Sequence, residues 1–326
     1  MQKKSGIFGM TRQVKKRKLK KKKKSGPKGV LFRKLLLVLF FTAIVLFSLC
    51  TAGYVIFFRT VFARELQSPG NNEIVFEEPD PPSHEVTAVF SKPHRGDSER
   101  HLPQVAIIID DLGYHKKVGE NFLNFPIELT YSFLPFAPYT EKQEKKAFYS
   151  GKTVLLHLPL EARGKEWDPG PGALFLSDSA ELQKRKFEQD LALVPHAVGV
   201  NNHMGSRFTS DVPAMTEVLK LVKKNGMFFV DSFTSAESKG WETALKLKIR
   251  TARRNVFLDN SRLKTDICNQ LEKLVSVAES YGVAIGIGHP HFETYNALKE
   301  CMPVYQGRVE FVNVTDIVNV LNSNKK

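Results

Sequence analysis

Four apolar runs of the chain stop abruptly at acid, amide or imidazole side chains, and those residue types together could hold a metal and move protons. Asp110-Asp111 closes the run Val105–Ile109. His157 follows Thr153–Leu156, Asn201-Asn202-His203 follows Val198–Val200, and His289-Pro-His291 follows Val283–Gly288. Asp231-Ser232 after Met227–Val230, and Asp259 within Asn255–Asn260, repeat the theme. Neighbouring carboxylates repel, so Asp110 and Asp111 both ionise only where a cation or hydrogen-bond donors compensate. One of them can then bind a metal while the other takes a proton from water. Neutral imidazole and carboxylate are the usual ligands of a catalytic zinc, and the two amides beside His203 can orient an imidazole or bind substrate. Taken singly, each motif has a plain structural reading: the aspartates cap a helix, and a lone histidine is a satisfied core residue. Converging on one rim, they point to metal-assisted hydrolysis.

Other mechanisms lack their parts. The chain has no G-x-S-x-G elbow, no P-loop and no dinucleotide fingerprint, Gly286-Ile-Gly288 being too short for one. A glycosidase needs two carboxylates across a bond, which Asp111 with Glu161 or Asp231 could supply, but the histidines would then have no task.

The elements that must position these residues alternate. Strands are expected at 105–110, 128–134, 153–158, 197–202, 227–232, 283–288 and 308–313, with a weaker one near 246–251. Helical stretches lie between them: Ser179, Asp211 and Thr265 are candidate N-caps, and Gly226 and Gly282 are candidate stops. Strands alternating with helices imply a parallel sheet, and apolar strands that end at reactive residues imply an active rim at the strand C-termini. The fold expected over 104–326 is an α/β, distorted (β/α) barrel of about seven strands, with an open doubly wound sheet as the alternative. The turn-rich segment 162–178 could form one wall of a cleft.

The composition assigns the rest of the chain. Of 48 Lys and Arg, residues 1–34 hold 15 with no acidic residue, leaving 33 basic against 34 acidic side chains for everything after. The excess charge therefore belongs to a basic tail, and a nucleic-acid groove in the folded domain is not indicated. Leu35 to Phe58 is 24 residues without a charge, long enough at about 1.5 Å per residue to cross a hydrocarbon core of about 30 Å. With Arg33, Lys34 and the Lys15–Lys24 cluster on one side, the positive-inside rule makes 1–34 a cytoplasmic tail. Residues 35–58 then form a single-pass transmembrane helix in the cytoplasmic (inner) membrane, and the domain lies outside. No A-x-A-like site follows, which favours an uncleaved anchor over a signal peptide. Residues 59–103, rich in Pro, Glu, Ser and Asn, read as a linker. Only Cys268 and Cys301 remain after the span, no disulfide framework, so core burial is expected to hold the domain together.

As a set, Ile107-Ile-Ile-Asp-Asp-Leu-Gly113, His157-Leu-Pro-Leu-Glu161, Gly199-Val-Asn-Asn-His-Met-Gly-Ser206, Asp231-Ser232 and Gly288-His-Pro-His291 resemble the divergent polysaccharide deacetylase family. This family is a distant branch of the NodB-like carbohydrate deacetylases, and the likeness covers roughly residues 104–320. The resemblance implies a distorted barrel that binds a divalent metal, usually zinc, and hydrolyses N-acetyl groups on an amino sugar. Asp110 would be the catalytic base and Asp111 a metal ligand. Typical members supply two further ligands from a His-x-x-x-His motif, from which this chain departs: four residues after His157 stands Glu161, and four after His203 stands Arg207. The expected metal set is Asp111, His157 and His203, with His289 as general acid or substitute ligand. Asn202, Asp231, Ser232 and His291 are the expected substrate contacts. A domain outside the membrane would meet peptidoglycan or an exported polysaccharide. The missing motif keeps a second reading open, a non-catalytic glycan- or partner-binding envelope protein on the same barrel.

Overall fold

The strand β1, Gln104–Leu112, is the spine of the fold, and Val105 to Ile109 within it are completely buried. An unbroken apolar, β-branched run of this kind suits a parallel strand covered on both faces. The computed structural model describes residues 102–164 and 166–323, preceded by helical residues 37, 39–42, 44, 45, 47, 48 and 51. The expected basic tail, nearly all of the linker and most of the expected transmembrane helix lie outside the described residues. Among the described residues, no helix is long and apolar enough to cross a membrane.

After β1 come α1 (Lys116–Leu123), β2 (Thr130–Phe133), α2 (Thr140–Tyr149), β3 (Thr153–Leu160), α3 (Ala180–Leu193) and β4 (Gly199–Met204). They are followed by α4 (Val212–Lys224), β5 (Phe228–Asp231), α5 (Gly240–Lys246), β6 (Thr251–Arg253) and β7 (Val256–Phe257). The last elements are α6 (Lys264–Tyr281), β8 (Val283–Gly288), α7 (Phe292–Cys301), β9 (Glu310–Val312) and α8 (Val314–Ser323). Every pairing is parallel, in the order β6-β5-β4-β3-β2-β1-β8-β7. The long β1 is shared along one edge, its upper part pairing with β2 and Gln104–Ala106 with β9.

The sheet is a parallel (β/α) half-barrel of nine strands, and β6 and β7 stand unjoined at the ends of the pairing order. This corrects the expected count of about seven. The expected strand near 246–251 is displaced to Thr251–Arg253, and Val256–Phe257 went unseen. Two or three residues are too short to display a period of two. Inside the curve, Ile108, Leu155, Phe228, Val230, Ile285 and Ile287 pack with Val314, Ile317 and Val318 of α8. Outside it, Ile107, Ile109, Val154, Leu156 and Val200 pack with the surrounding helices.

Local signals hold at two helix starts and fail at a third. Ser179 Oγ accepts from Leu182 N at 3.3 Å, and Asp211 Oδ1 accepts from Ala214 N at 2.8 Å. At α6 the expected cap Thr265 lies one residue inside the helix, and Leu263 occupies the cap position without a side-chain bond. Gly282 ends α6 at φ +87°, a left-handed conformation that glycine adopts without strain.

The cysteine expectation is also corrected. Cys268 of α6 and Cys301 of α7 form a disulfide with Cα atoms 5.9 Å apart, because these two helices are packed as neighbours. It closes a loop of 33 residues, which in the chain-entropy model stabilises the fold by about 4 kcal/mol. Cys268→Ser is expected to lower the urea midpoint and to steepen the unfolding slope, because the unbridged denatured chain exposes more surface. An unaltered midpoint, or equal stability of the wild type with and without reductant, would rule out that contribution.

Candidate metal centre

The inner face of the half-barrel carries one continuous row of side chains from core to rim. Residues in a strand alternate faces, so inward Ile108, Leu155, Gly199, Val230 and Ile287 lead upward to inward Asp110, His157, Asn201, Ser232 and His289. His203 follows Asn201 on the same face. Asp111 breaks this rule. In a regular strand it would point away from Asp110, but the pairing of β1 with β2 slips between Ile109 and Leu112, and Asp111 takes φ +52°. Such a bulge re-aims side chains at the end of a strand, and positive φ in a non-glycine residue is strain of the kind stored at functional sites. It brings the second carboxylate to the same point as the first.

There Asp111 Oδ1 lies 2.9 Å from His203 Nδ1 and 3.0 Å from His157 Nε2. One ligand atom from each of the three residues lies within 4.8 Å of the others, and all three residues are buried. Among the described residues, these two imidazole nitrogens are the polar groups that face the Asp111 carboxylate, and no other donor is bonded to it. A buried carboxylate that meets two imidazole nitrogens at one point is a donor set that suits a divalent cation. Burial alone would raise the Asp111 pKa, but His203 and His157 outweigh it and hold the carboxyl well below the usual range.

Asp110 stands beside this cluster, its Oδ2 3.7 Å from His157 Nε2. Burial raises its pKa, and His157 and His289 only partly offset this. Asn201 Nδ2 donates to both Asp110 oxygens, at 2.8 and 2.9 Å. For His157, burial favours the neutral ring, but the neighbouring Asp110 and Asp111 carboxylates together raise its pKa. Across the pocket, Asp259 Oδ1 lies 2.9 Å from His289 Nδ1, and its Oδ2 accepts from His289 N at 2.6 Å and Thr294 Oγ1 at 2.7 Å. Burial pushes Asp259 up, but the His289 imidazole and these bonds bring its pKa below the usual value.

Asp110, His157, Asn202, His203, Ser232 and His289 all line one pocket, whose apolar surface comes from Met204 and Phe257. Asp231 faces the outer side, where its carboxylate accepts from Phe233 N, Ser238 Oγ and Trp241 N. His291 occupies the N-cap position of α7, its ring 6.2 Å from that of His289. The Asn202 side chain spans Met204 O and Ser232 N, bracing the rim. Glu161 and Arg207, each four residues beyond a cluster histidine, bond to one another at 2.7 Å. Glu161 also accepts from Leu176 N at 2.6 Å, tying down the 162–178 segment, which does not line the pocket. Sequence reasoning passed over Ser132; it read both amides beside His203 as able to orient an imidazole or bind substrate but chose Asn202 rather than Asn201 as the site residue. Alternation was the available signal, since Asn201 shares a face with His203 and Asn202 does not.

The family model described as divergent polysaccharide deacetylase matches residues 107–318. An uncharacterized protein of Escherichia coli, YibQ, is 31% identical over 216 residues, covering 66% of this chain and 67% of that protein. An uncharacterized protein of Haemophilus influenzae is 33% identical over 198 residues, covering 60% of this chain and 70% of its own length. The crystal structure of an uncharacterized protein from Agrobacterium tumefaciens superposes with a TM-score of 0.65 at 26% identity, covering 68% of this chain and 92% of that one.

Proposed function

The chain belongs to the divergent polysaccharide deacetylase family, and on that premise we propose that it removes N-acetyl groups from amino sugars of an envelope or exported polysaccharide, such as peptidoglycan. Asp111, His157 and His203 are the residues that would hold a divalent cation, zinc in the first instance. The observation that carries this reading is the buried Asp111 carboxylate, which converges with two imidazole nitrogens and is bonded to no other donor among the described residues. When bound, the cation polarises the acetamide carbonyl and makes water acidic enough to attack near neutral pH.

The chain's own groups supply the proton transfers. Asp110 faces the pocket without being part of the ligand trio, and as carboxylate it takes the proton of the attacking water. His289 donates Nδ1–H to Asp259, which leaves Nε2–H of the imidazolium to protonate the departing amine. Ionised Asp259, held by Thr294 and by the His289 backbone, keeps that ring oriented through the transfer. Met204 and Phe257 offer an apolar wall for the acetyl methyl group.

The proposed setting is the outer face of the cytoplasmic membrane, with residues 35–58 as anchor and 1–34 inside. The uncharged stretch supports it, as do exposed apolar residues Leu37, Phe40, Phe41 and Phe47 among its described helical positions. So does the Cys268–Cys301 disulfide, since such bonds persist chiefly in oxidising compartments. The test is product analysis after the purified chain, loaded with zinc, meets N-acetylglucosamine oligomers and peptidoglycan fragments. Acetate and free amine released in equal amounts are expected. New reducing ends without acetate would replace the reading with glycoside hydrolysis, and glycan binding without turnover would favour a non-catalytic envelope role.

A further inference from the structure

Asn201 lies at the centre of the site, fully buried, with every hydrogen-bonding position of its amide occupied. Its Oδ1 lies 3.1 Å from His157 Nδ1 and accepts from Ser132 Oγ at 2.5 Å. Its Nδ2 donates to both oxygens of Asp110 and, at 3.2 Å, to Ser232 Oγ. An ionised carboxylate can only accept, so the amide must turn its NH2 to Asp110 and its oxygen to His157. That oxygen then requires a proton on His157 Nδ1, which leaves the lone pair on Nε2, the atom 3.0 Å from Asp111. The direct pairing of His157 with Asn201 across β3 and β4 makes this reach possible.

Resting on the proposed deacetylase reading, we infer that Asn201 is a positioning residue that couples the two halves of the site. One amide selects the His157 tautomer that can ligate a metal, and at the same time aims the Asp110 carboxylate at the attacking water. In this chain the carbonyl and the NH2 do separable jobs, so substitutions can divide them.

The experiment compares the full chain with Asn201→Leu and Asn201→Asp, measuring zinc affinity by competition titration and kcat and KM for acetate release. Asn201→Leu removes both functions. Its zinc affinity should fall about 10- to 100-fold, and kcat about 100-fold or more at saturating zinc. Asn201→Asp keeps an acceptor for His157 but sets a second carboxylate against Asp110. Zinc affinity should therefore stay close to wild type while kcat falls about 100-fold. KM should hold in both, because Asn201 is buried beneath the pocket. Folding is followed by circular dichroism, and the isosteric Asn201→Asp keeps the test decisive if Asn201→Leu does not fold. A wild type that is loaded and active, beside variants with unchanged zinc affinity and kcat, overturns this inference alone. Equal loss of zinc affinity in both variants overturns the division of labour. A wild type that takes up no metal overturns the deacetylase reading, and this inference with it.

Discussion

Asp111→Ala is expected to yield a folded chain that holds no divalent cation and releases no measurable acetate. The wild type should carry about one equivalent, as a single three-ligand site requires. Asp111 supplies the only formal negative charge in the ligand trio, and without it two adjacent imidazoles face a dication with no anionic ligand. The loss should be all but complete, because the neighbouring carboxylates are already engaged by other donors. Asp110 is occupied by Asn201, and Asp259 by His289 and Thr294. The comparison belongs at neutral pH. Despite burial, His203 and His157 hold the Asp111 pKa low. Its contribution to folding in the metal-free chain is therefore present above its unfolded-state pKa and is lost only as pH falls through the lower folded-state value. Asp111→Asn, which keeps the shape and removes the charge, separates loss of the cation from loss of packing. Metal analysis of the purified proteins decides the matter, and a full equivalent retained in either variant would remove Asp111 from the ligand set.

Asp110→Asn should show the complementary result, with metal content close to wild type and acetate release lowered by about 10²- to 10⁴-fold, the usual effect of losing a positioned base. Burial raises the Asp110 pKa, so the group is protonated, and idle, up to a higher pH than an ordinary carboxylate. The acidic limb of kcat/KM in the wild type should consequently lie above the usual carboxylate range, with activity rising as pH rises through it. The variant should lose that limb along with the rate. Metal analysis beside a pH–rate profile checks both statements. Activity within a few-fold of wild type would take the base role from Asp110, and loss of metal would make it a ligand instead.

Much of this architecture was legible residue by residue. Each of the seven principal strand expectations overlaps an observed strand, because buried parallel strands announce themselves as short apolar runs. Ser179 and Asp211 announced their helices for an equally local reason, a side chain bonding its own first turn. The motifs at the strand ends were enough to indicate the family. Short strands such as Val256–Phe257 were not legible, since their pairing is created by the neighbour β8 rather than by their own pattern.

The chain by itself therefore determined which segments form the sheet, which strand ends carry acids, amides and imidazoles, and which family the domain belongs to. Only the tertiary structure decided which of those side chains meet. Alternation would have sent Asp110 and Asp111 to opposite faces, and a register slip against β2 brings them together. Of two adjacent asparagines, pairing with β3 places Asn201 against His157 and leaves Asn202 to brace the rim. The residues at the places of missing second histidines, Glu161 and Arg207, pair with one another, and two cysteines 33 residues apart are joined because α6 packs on α7. The reason is common to all four. Strand and helix tendencies are local, whereas facing direction, register and cross-chain distance are set by the partners a segment packs against.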